Sequence, residues 1–288
     1  MKGIILAGGN GTRLSPLTLA TSKQLLPIYD KPLIFYPLVT LMELQIKEIA
    51  IIVKSNEHER FYNLLGSGKK FGIEITYLIQ DNPNGLAEAF IIAENFIGDS
   101  NVTLILGDNI FYGDDLKLPS FKQFEGGAMI ACCKVNDPER YGVARIKGND
   151  VLEVIEKPSE YISDFAVTGI YVYDNSVIKK SKSLSPSTRG ELEITDLNNL
   201  YIRDEQLKAL FLDSEMIWMD TGTFDSLYDA SSLIKALQNR SGHLVGSPEL
   251  TAYRNNWLTK DEIKVNLNYK NSYMQSLIAS LEEFKFKN

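Results

Sequence analysis

Three glycines in four positions follow directly on the first apolar run of the chain, in Leu6-Ala7-Gly8-Gly9-Asn10-Gly11-Thr12-Arg13-Leu14. The run Lys2 to Ala7 reads as a buried strand, and the glycines let the backbone beyond it approach a ligand closely. Their N–H groups can turn toward phosphate oxygens, and Arg13 adds a planar cationic fork. Two familiar glycine loops do not fit. A Walker A loop needs Gly-Lys-Ser/Thr after four spacer residues, a string this chain lacks, and the dinucleotide fingerprint needs glycine where Leu14 stands. An ordinary strand-to-helix turn is the plain alternative, but the arginine that follows so many glycines favours a phosphate cradle.

Apolar runs bounded by turn residues then alternate with amphipathic stretches, as expected of βα units. Lys2 to Ala7, Ile49 to Val53, Ile73 to Gln80, Val102 to Leu106 and Ala128 to Val135 read as strands. Leu33 to Gln45, Glu57 to Leu65 and Leu86 to Ile97 have helical periodicity. Past Asp137, Gly142 to Ile146 and Val151 to Ile155 alternate around Gly148-Asn149-Asp150, a hairpin signal, and Phe165 to Tyr173 adds a strand. Thr223 to Arg240 reads as a long helix broken at Ser241-Gly242. The fold class expected is α/β, a Rossmann-like, mostly parallel twisted sheet with helices on both faces. An antiparallel subregion and a C-terminal helical extension complete it. The expected division is 1–240 as one domain, built of segments 1–136 and about 137–222. Residues 241–288 form the extension, with Tyr253, Trp257, Leu267 and Tyr273 as apolar positions.

Composition narrows the partners. Thirty Lys+Arg against 37 Asp+Glu in 288 residues leave a net charge of −7, which argues against nucleic acid as a partner. Phosphate would have to be met by a local cation cluster or by metal. With only two histidines, His58 and His243, a multi-histidine metal site cannot be built, and a histidine-based acid–base mechanism has few places to live. Cys132 and Cys133 are adjacent, so strand alternation sends them to opposite faces as reduced thiols. The opening run is too short for a signal segment and no apolar stretch approaches a membrane span, so the expectation is a cytoplasmic protein with no membrane partner.

Ten residues beyond Arg13 comes Ser22-Lys23-Gln24-Leu25-Leu26-Pro27. Alone, Lys23 reads as a solvated lysine; between the glycine loop and Pro32 it is a candidate second cation over the same phosphates. Together the two segments resemble the signature of sugar-1-phosphate nucleotidylyltransferases, and Tyr29-Asp30-Lys31-Pro32 continues it. Gln80-x-x-Pro83-x-Gly85-Leu86-Ala87 resembles the base-recognition segment, and Leu106-Gly107-Asp108-Asn109 the metal-binding strand end. Asp137 to Val143, Glu156-Lys157-Pro158, Ala166 to Gly169, Arg189 to Asp196 and Trp218-x-Asp220-Thr221-Gly222-Thr223 follow in the family's order.

The resemblance covers essentially the whole chain and implies transfer of a thymidylyl group from dTTP to α-D-glucose 1-phosphate, with Mg2+ as cofactor and pyrophosphate as the leaving group. It implies that 1–240 is the catalytic domain, with nucleotide binding in 1–136 and sugar-phosphate binding in the antiparallel subregion at about 137–222. It implies Arg13, Lys23, Lys157 and Asp108 as catalytic residues, and Asp108 with Asp220 as metal ligands. The nucleotide would lie on Leu6, Gly8, Gly9, Gly11, Thr12, Arg13, Gln24, Gln80, Pro83, Gly85 and Leu86. The sugar phosphate would lie on Gly107, Asn109, Tyr141, Gly142, Glu156, Lys157, Val167, Thr168, Arg189 and Trp218. A homotetramer supplying dTDP-deoxysugars such as dTDP-rhamnose is implied by resemblance alone.

The residue types suit these roles. Two carboxylates brought together can hold Mg2+, a hard cation that prefers oxygen, although an Asp after a strand or before a helix is as readily a turn or cap residue. The Gln80 amide can pair with the imide edge of thymine or uracil. Glu156 and Lys157 are strand neighbours that would diverge, so their segment must bend if both line one pocket. A phosphate nucleophile is already anionic and needs no general base, which agrees with the scarcity of histidine. Uridylyl transfer to give UDP-glucose, and a non-catalytic sugar-nucleotide sensor, are the alternative readings. One departure stands out at the second nucleotide site that the family uses for feedback. Asp114 stands where the pattern has histidine and Ser214 where arginine is common, while Arg254 matches, so feedback is expected to be weakened.

Overall fold

The computed structural model describes residues 1–113, 124–148, 150–213, 215–266 and 271–283. Asp114, Asn149, Ser214 and Leu267, on which expectations above rest, lie outside the described residues. The strands are β1 (Lys2–Leu6), β2 (Pro27–Ile28), β3 (Lys31–Pro32), β4 (Glu48–Val53), β5 (Glu74–Ile79), β6 (Val102–Leu106) and β7 (Asn109–Tyr112). They continue with β8 (Ala128–Lys134), β9 (Gly142–Lys147), β10 (Asp150–Glu156), β11 (Phe165–Tyr173), β12 (Leu207–Phe211) and β13 (Ile217–Asp220).

Nine strands form one sheet in the order β5-β4-β1-β6-β11-β8-β12-β10-β9. The expected parallel part is present: β1 lies between β4 and β6, parallel to both, and β5 adds parallel to β4. Beyond β6 the sheet becomes mixed, which corrects the mostly parallel expectation. β11 runs antiparallel to β6 and β8, and only β12 is parallel to its neighbour β8. β11 reaches β6 and β8 from a distant part of the chain, so no local crossover fixes it parallel to either. β9 and β10 form the expected hairpin, with a register shift between Val151 and Glu153.

Alternation along β1 sends the fully buried Ile4 and Ile5 to opposite faces. Ile4 packs with Ala50, Ile52, Leu104 and Ile130 under the helices that carry Phe90, Val177, Leu197 and Tyr201. Ile5 packs with Ile49, Ile51, Val53 and Ile105 under those that carry Leu38, Leu41, Phe61 and Leu65. Helices therefore cover both faces, and each isoleucine so buried contributes about 2 kcal/mol. Cys132 is buried and Cys133 partly so, and both are free thiols.

Two helices depart from the periodicity. The first runs Phe35–Glu43, because the N–H groups of Leu33 and Ile34 donate instead to the carbonyls of Leu26 at 3.0 Å and Gln24 at 2.8 Å. That pairing fastens the Lys23 segment to the helix start. The stretch Leu86 to Ile97 is two helices, Glu88–Ile92 and Glu94–Ile97, separated where Ala93 takes φ −90° and ψ 9°.

The long helix Phe224–Ser241 opens on a capping box: Thr223 Oγ1 accepts from the Ser226 N–H at 3.2 Å, and Ser226 Oγ accepts from the Thr223 N–H at 2.9 Å. The capping role thus falls to Thr223, which leaves the Asp220 carboxylate for other work. Helices Pro248–Arg254, Lys260–Asn266 and Ser272–Glu283 follow. They share their own apolar cluster and are tied to Phe35–Glu43 by Asn255 Nδ2, which donates to the Met42 carbonyl at 2.8 Å. Among the described residues no helix is long and apolar enough to cross a membrane.

Candidate active site

β7 and β13 form a separate antiparallel ribbon whose register sets Asn109 opposite Asp220. Asp108 stands just before β7, past the carboxyl end of β6, where open α/β sheets bind ligands. Thr221 fastens the two segments, donating from Oγ1 to the Asp108 carbonyl at 2.8 Å and from its N–H at 3.2 Å. Both carboxylates then meet one buried ammonium: Lys23 Nζ lies 2.6 Å from Asp108 Oδ2 and 4.0 Å from Asp220 Oδ1.

The charges are interdependent. Burial pushes the Asp108 carboxyl up, but the Lys23 ammonium and the hydrogen bonds from Lys23 and Asn109 outweigh it and hold the group below the ordinary carboxylate range. Burial and then the Asp108 charge raise Asp220, against the pull of Lys23 and Arg13. Arg13 comes that close because residue 222 is glycine. A Cβ there would lie 3.0 Å from Arg13 Nη2 and 3.1 Å from Asp220 Oδ2. Among the described residues no three His, Cys, Asp or Glu side chains converge as a metal-binding group.

Asn109 organises the neighbouring wall. Its Nδ2 donates to Asp108 Oδ1 at 2.9 Å, while its Oδ1 accepts from Trp218 Nε1 at 2.6 Å and from the Gly169 N–H at 3.2 Å. Trp218 is thereby set against Tyr141, ring centres 5.1 Å apart.

A cavity of about 330 Å³ opens over these groups. Its lining brings together Arg13, Leu86, Asp108, Asn109, Tyr141 and Gly142 with Glu156, Lys157, Val167, Thr168, Arg189, Trp218 and Asp220, all singled out from the sequence. The required bend is present: Lys157 takes φ 44°, in the left-handed region, so it and Glu156 reach the same cavity with Nζ 3.4 Å from Glu156 Oε1. Arg189 is occupied, donating to Glu193 from Nη2 at 2.8 Å and from Nε at 3.2 Å.

The remaining expected residues do not line this cavity. Gly107 donates its N–H to the Leu6 carbonyl at 2.9 Å, and a Cβ on it would stand 3.0 Å from Gln24 Cγ, so these three are contiguous. Gly8 packs beside Gln80, Gly9 has open space around its Cα, and the Gly11 carbonyl accepts from Thr18 Oγ1 at 2.9 Å before the turn Thr12–Leu14. Pro83 is exposed. Gly85 has a structural duty as well: at φ 110° its absent Cβ would fall 2.3 Å from the Leu192 carbonyl oxygen. Asn84 and Ala87 bracket the same residue, Leu192 N–H donating to the Asn84 carbonyl at 2.6 Å and Ala87 N–H to the Leu192 carbonyl at 3.1 Å. The base segment and the Arg189 segment are therefore stitched together.

Several lining residues were not singled out. Arg140 sits over the Tyr141 ring at 5.5 Å and donates to Asp137 Oδ2 at 2.6 Å. Thr195 donates to Glu156 Oε2 at 3.4 Å, and Glu193 restrains Arg189. Each falls inside a quoted motif, so the signal was present, but only contact geometry separates it from its neighbours.

A family model described as nucleotidyl transferase matches residues 2–236. A relative from Neisseria gonorrhoeae named glucose-1-phosphate thymidylyltransferase is 47% identical, over 96% of this chain and 98% of its own. One of the same name from Mycobacterium tuberculosis is 44% identical, over 98% and 99%. A solved Bacillus anthracis protein, assigned as a glucose-1-phosphate thymidylyltransferase and complexed with sucrose, is 43% identical and superposes with a TM-score of 0.76 over 81% of this chain and 94% of that one. A UDP-glucose pyrophosphorylase complexed with UDP-glucose shares the fold, with a TM-score of 0.73 at 22% identity over 82% of this chain and 98% of that one. The chain belongs to the nucleotidyl transferase family, alongside the glucose-1-phosphate thymidylyltransferases.

Proposed function

We propose that this protein is a thymidylyltransferase that joins dTTP and α-D-glucose 1-phosphate into dTDP-glucose and pyrophosphate. The observation that carries the reading is that Arg13, Lys157 and the Asp108–Asp220 pair line a single cavity. In this reading an anionic phosphate oxygen of the sugar phosphate attacks the α-phosphorus of dTTP. The new P–O bond forms as the bond to the β-phosphate breaks, and no proton has to be removed.

The chain's own residues supply position and charge. The Lys157 ammonium holds the attacking phosphate, and the adjacent Glu156 carboxylate accepts from sugar hydroxyls. Arg13, next to Asp220, takes the charge that develops on the α-phosphate and the departing pyrophosphate. Lys23 favours the ionised form of both Asp108 and Asp220. Arg189 reaches a phosphate only by giving up a bond to Glu193. Gln80 reads the base, helped by the backbone at Gly85 and Leu86.

The donor set suits Mg2+: two carboxylates lie about one position, and of the two causes that raise Asp220, burial first and the Asp108 charge second, a divalent cation relieves the second. Asp108 and Asp220 would hold the ion, which when bound neutralises triphosphate charge. The wider reading is a cytoplasmic homotetramer whose product feeds dTDP-deoxysugar synthesis such as that of dTDP-rhamnose. The family resemblance supports it, and sedimentation of the full chain tests the assembly.

Pyrophosphate release from glucose 1-phosphate with dTTP, UTP, dCTP or ATP, with and without Mg2+, tests the reaction. Mg2+-dependent release that is fastest with dTTP is expected. Faster release with UTP would replace the reading with uridylyl transfer, and none with any triphosphate would leave a non-catalytic binder.

A further inference from the structure

Glu88 stands one residue past the base-recognition motif and opens the helix Glu88–Ile92. Its Oε2 accepts from Gln80 Nε2 at 2.6 Å, and its Oε1 accepts from Asn84 Nδ2 at 2.9 Å. The Gln80 backbone is fixed too, its N–H donating to the Val53 carbonyl at 2.9 Å, and the side chain is only 5% exposed. An ionised carboxylate can accept but not donate. It therefore admits one orientation of the Gln80 amide, nitrogen toward Glu88 and oxygen away from it. That oxygen faces the glycine loop, 3.1 Å from where a Cβ on Gly8 would lie, so residue 8 places no side chain against it.

We propose that Glu88 is a positioning residue that locks the Gln80 amide and so makes the site select imide bases, thymine and uracil, over cytosine. This rests on the reading that Gln80 contacts the base. An imide edge presents the N3–H donor beside the O4 acceptor, whereas cytosine presents the N3 acceptor beside the N4–H donors, the reverse polarity. A freely turning amide suits either edge. A locked amide suits one and leaves buried polar groups facing like against like with the other, which is how a hydrogen-bonding site rejects a near-isostere. Glu88 touches no reacting atom in this scheme and acts only through Gln80.

The test uses the full chain with Glu88→Gln, Glu88→Ala and Gln80→Ala, measuring kcat/KM for dTTP and dCTP against glucose 1-phosphate. Glutamine at 88 has the size of glutamate but can donate as well as accept, so it releases the lock. The expected result is a fall of at least about tenfold in the dTTP/dCTP ratio, mostly by gain of dCTP, with the KM for glucose 1-phosphate unchanged. A ratio that falls in Gln80→Ala but holds in both Glu88 variants overturns the positioning role and leaves the base contact standing. A ratio unmoved in Gln80→Ala removes the base contact and the inference with it. A lower melting temperature in the Glu88 variants with no change in ratio makes the bond purely structural and likewise overturns it.

Discussion

Lys23 Nζ donates to Asp108 Oδ2 at 2.6 Å and lies 4.0 Å from Asp220 Oδ1, so one buried cation serves two carboxylates that the chain supplies from distant segments. Removing it leaves Asp108 and Asp220 opposed without that cation. In Lys23→Ala the Asp220 carboxyl, already raised by burial and by Asp108, rises further, because one of the two strongest charges pulling it down is gone. The acid limb of the kcat profile should move to higher pH, so the variant loses more activity at pH 6 than at pH 8. Thermal unfolding should show a loss of about 3 kcal/mol, as for breaking a buried ion pair from one side. A profile parallel to that of the parent protein would contradict this coupling.

In the proposed reaction Arg13 meets the charge that grows on the departing pyrophosphate, and Asp108 would do so through the Mg2+ it holds. Replacing Arg13 by Ala, or Asp108 by Asn, should therefore lower kcat by about a hundredfold or more while the KM for glucose 1-phosphate moves little. Steady-state kinetics at saturating sugar phosphate distinguish this from a binding defect, which would appear in KM. Near-normal kcat in both variants would remove the assignment.

The parts of this fold legible in the sequence are those carried by local pattern. The strand Val102 to Leu106 announces that the next polar residues stand at a sheet end, and there Asp108 is found. Gly85 shows the limit. As part of a motif it reads as ligand backbone, yet its φ of 110° and its approach to Leu192 answer to a segment a hundred residues on, which no local pattern encodes. The same holds for Asn109, two of whose three partners, Gly169 and Trp218, come from distant segments. The hairpin signal announces the antiparallel subregion, but the central place of β11 is hidden for the same reason, since it inserts beside β6 from a distant part of the chain. The helix break at Ala93 is hidden differently: alanine is the best helix former, and its departure there has no warning in composition.

Lys157 carries both a charge and a conformation that side chains resist, and the two are separable. Lys157→Ala should raise the KM for glucose 1-phosphate about tenfold or more, by removing the ammonium from the cavity. Lys157→Gly should show the same kinetic loss but be more stable than Lys157→Ala by about 0.5–1 kcal/mol, because a φ of 44° strains alanine and not glycine. Matching melting temperatures for the two variants would mean that the left-handed turn carries no strain.

Glu43 gives a pH dependence remote from the chemistry. Burial pushes its carboxyl from an ordinary 4.5 up to about 7, with the Arg254 charge pulling the other way. The folded chain therefore binds this proton more tightly than the unfolded chain. The stability it contributes is complete below pH 4.5 and is lost as pH rises through 7. Above that, the fold must hold a desolvated carboxylate. Glu43→Gln, neutral at every pH, should be more stable than the parent protein at pH 8 by up to about 2 kcal/mol, a value reduced for the side chain's partial exposure. The two proteins should converge near pH 5, where the parent carboxyl is protonated in the fold. Urea titrations at both pH values read the difference directly, and a stability gap that is the same at pH 5 and pH 8 would assign it to packing instead of charge.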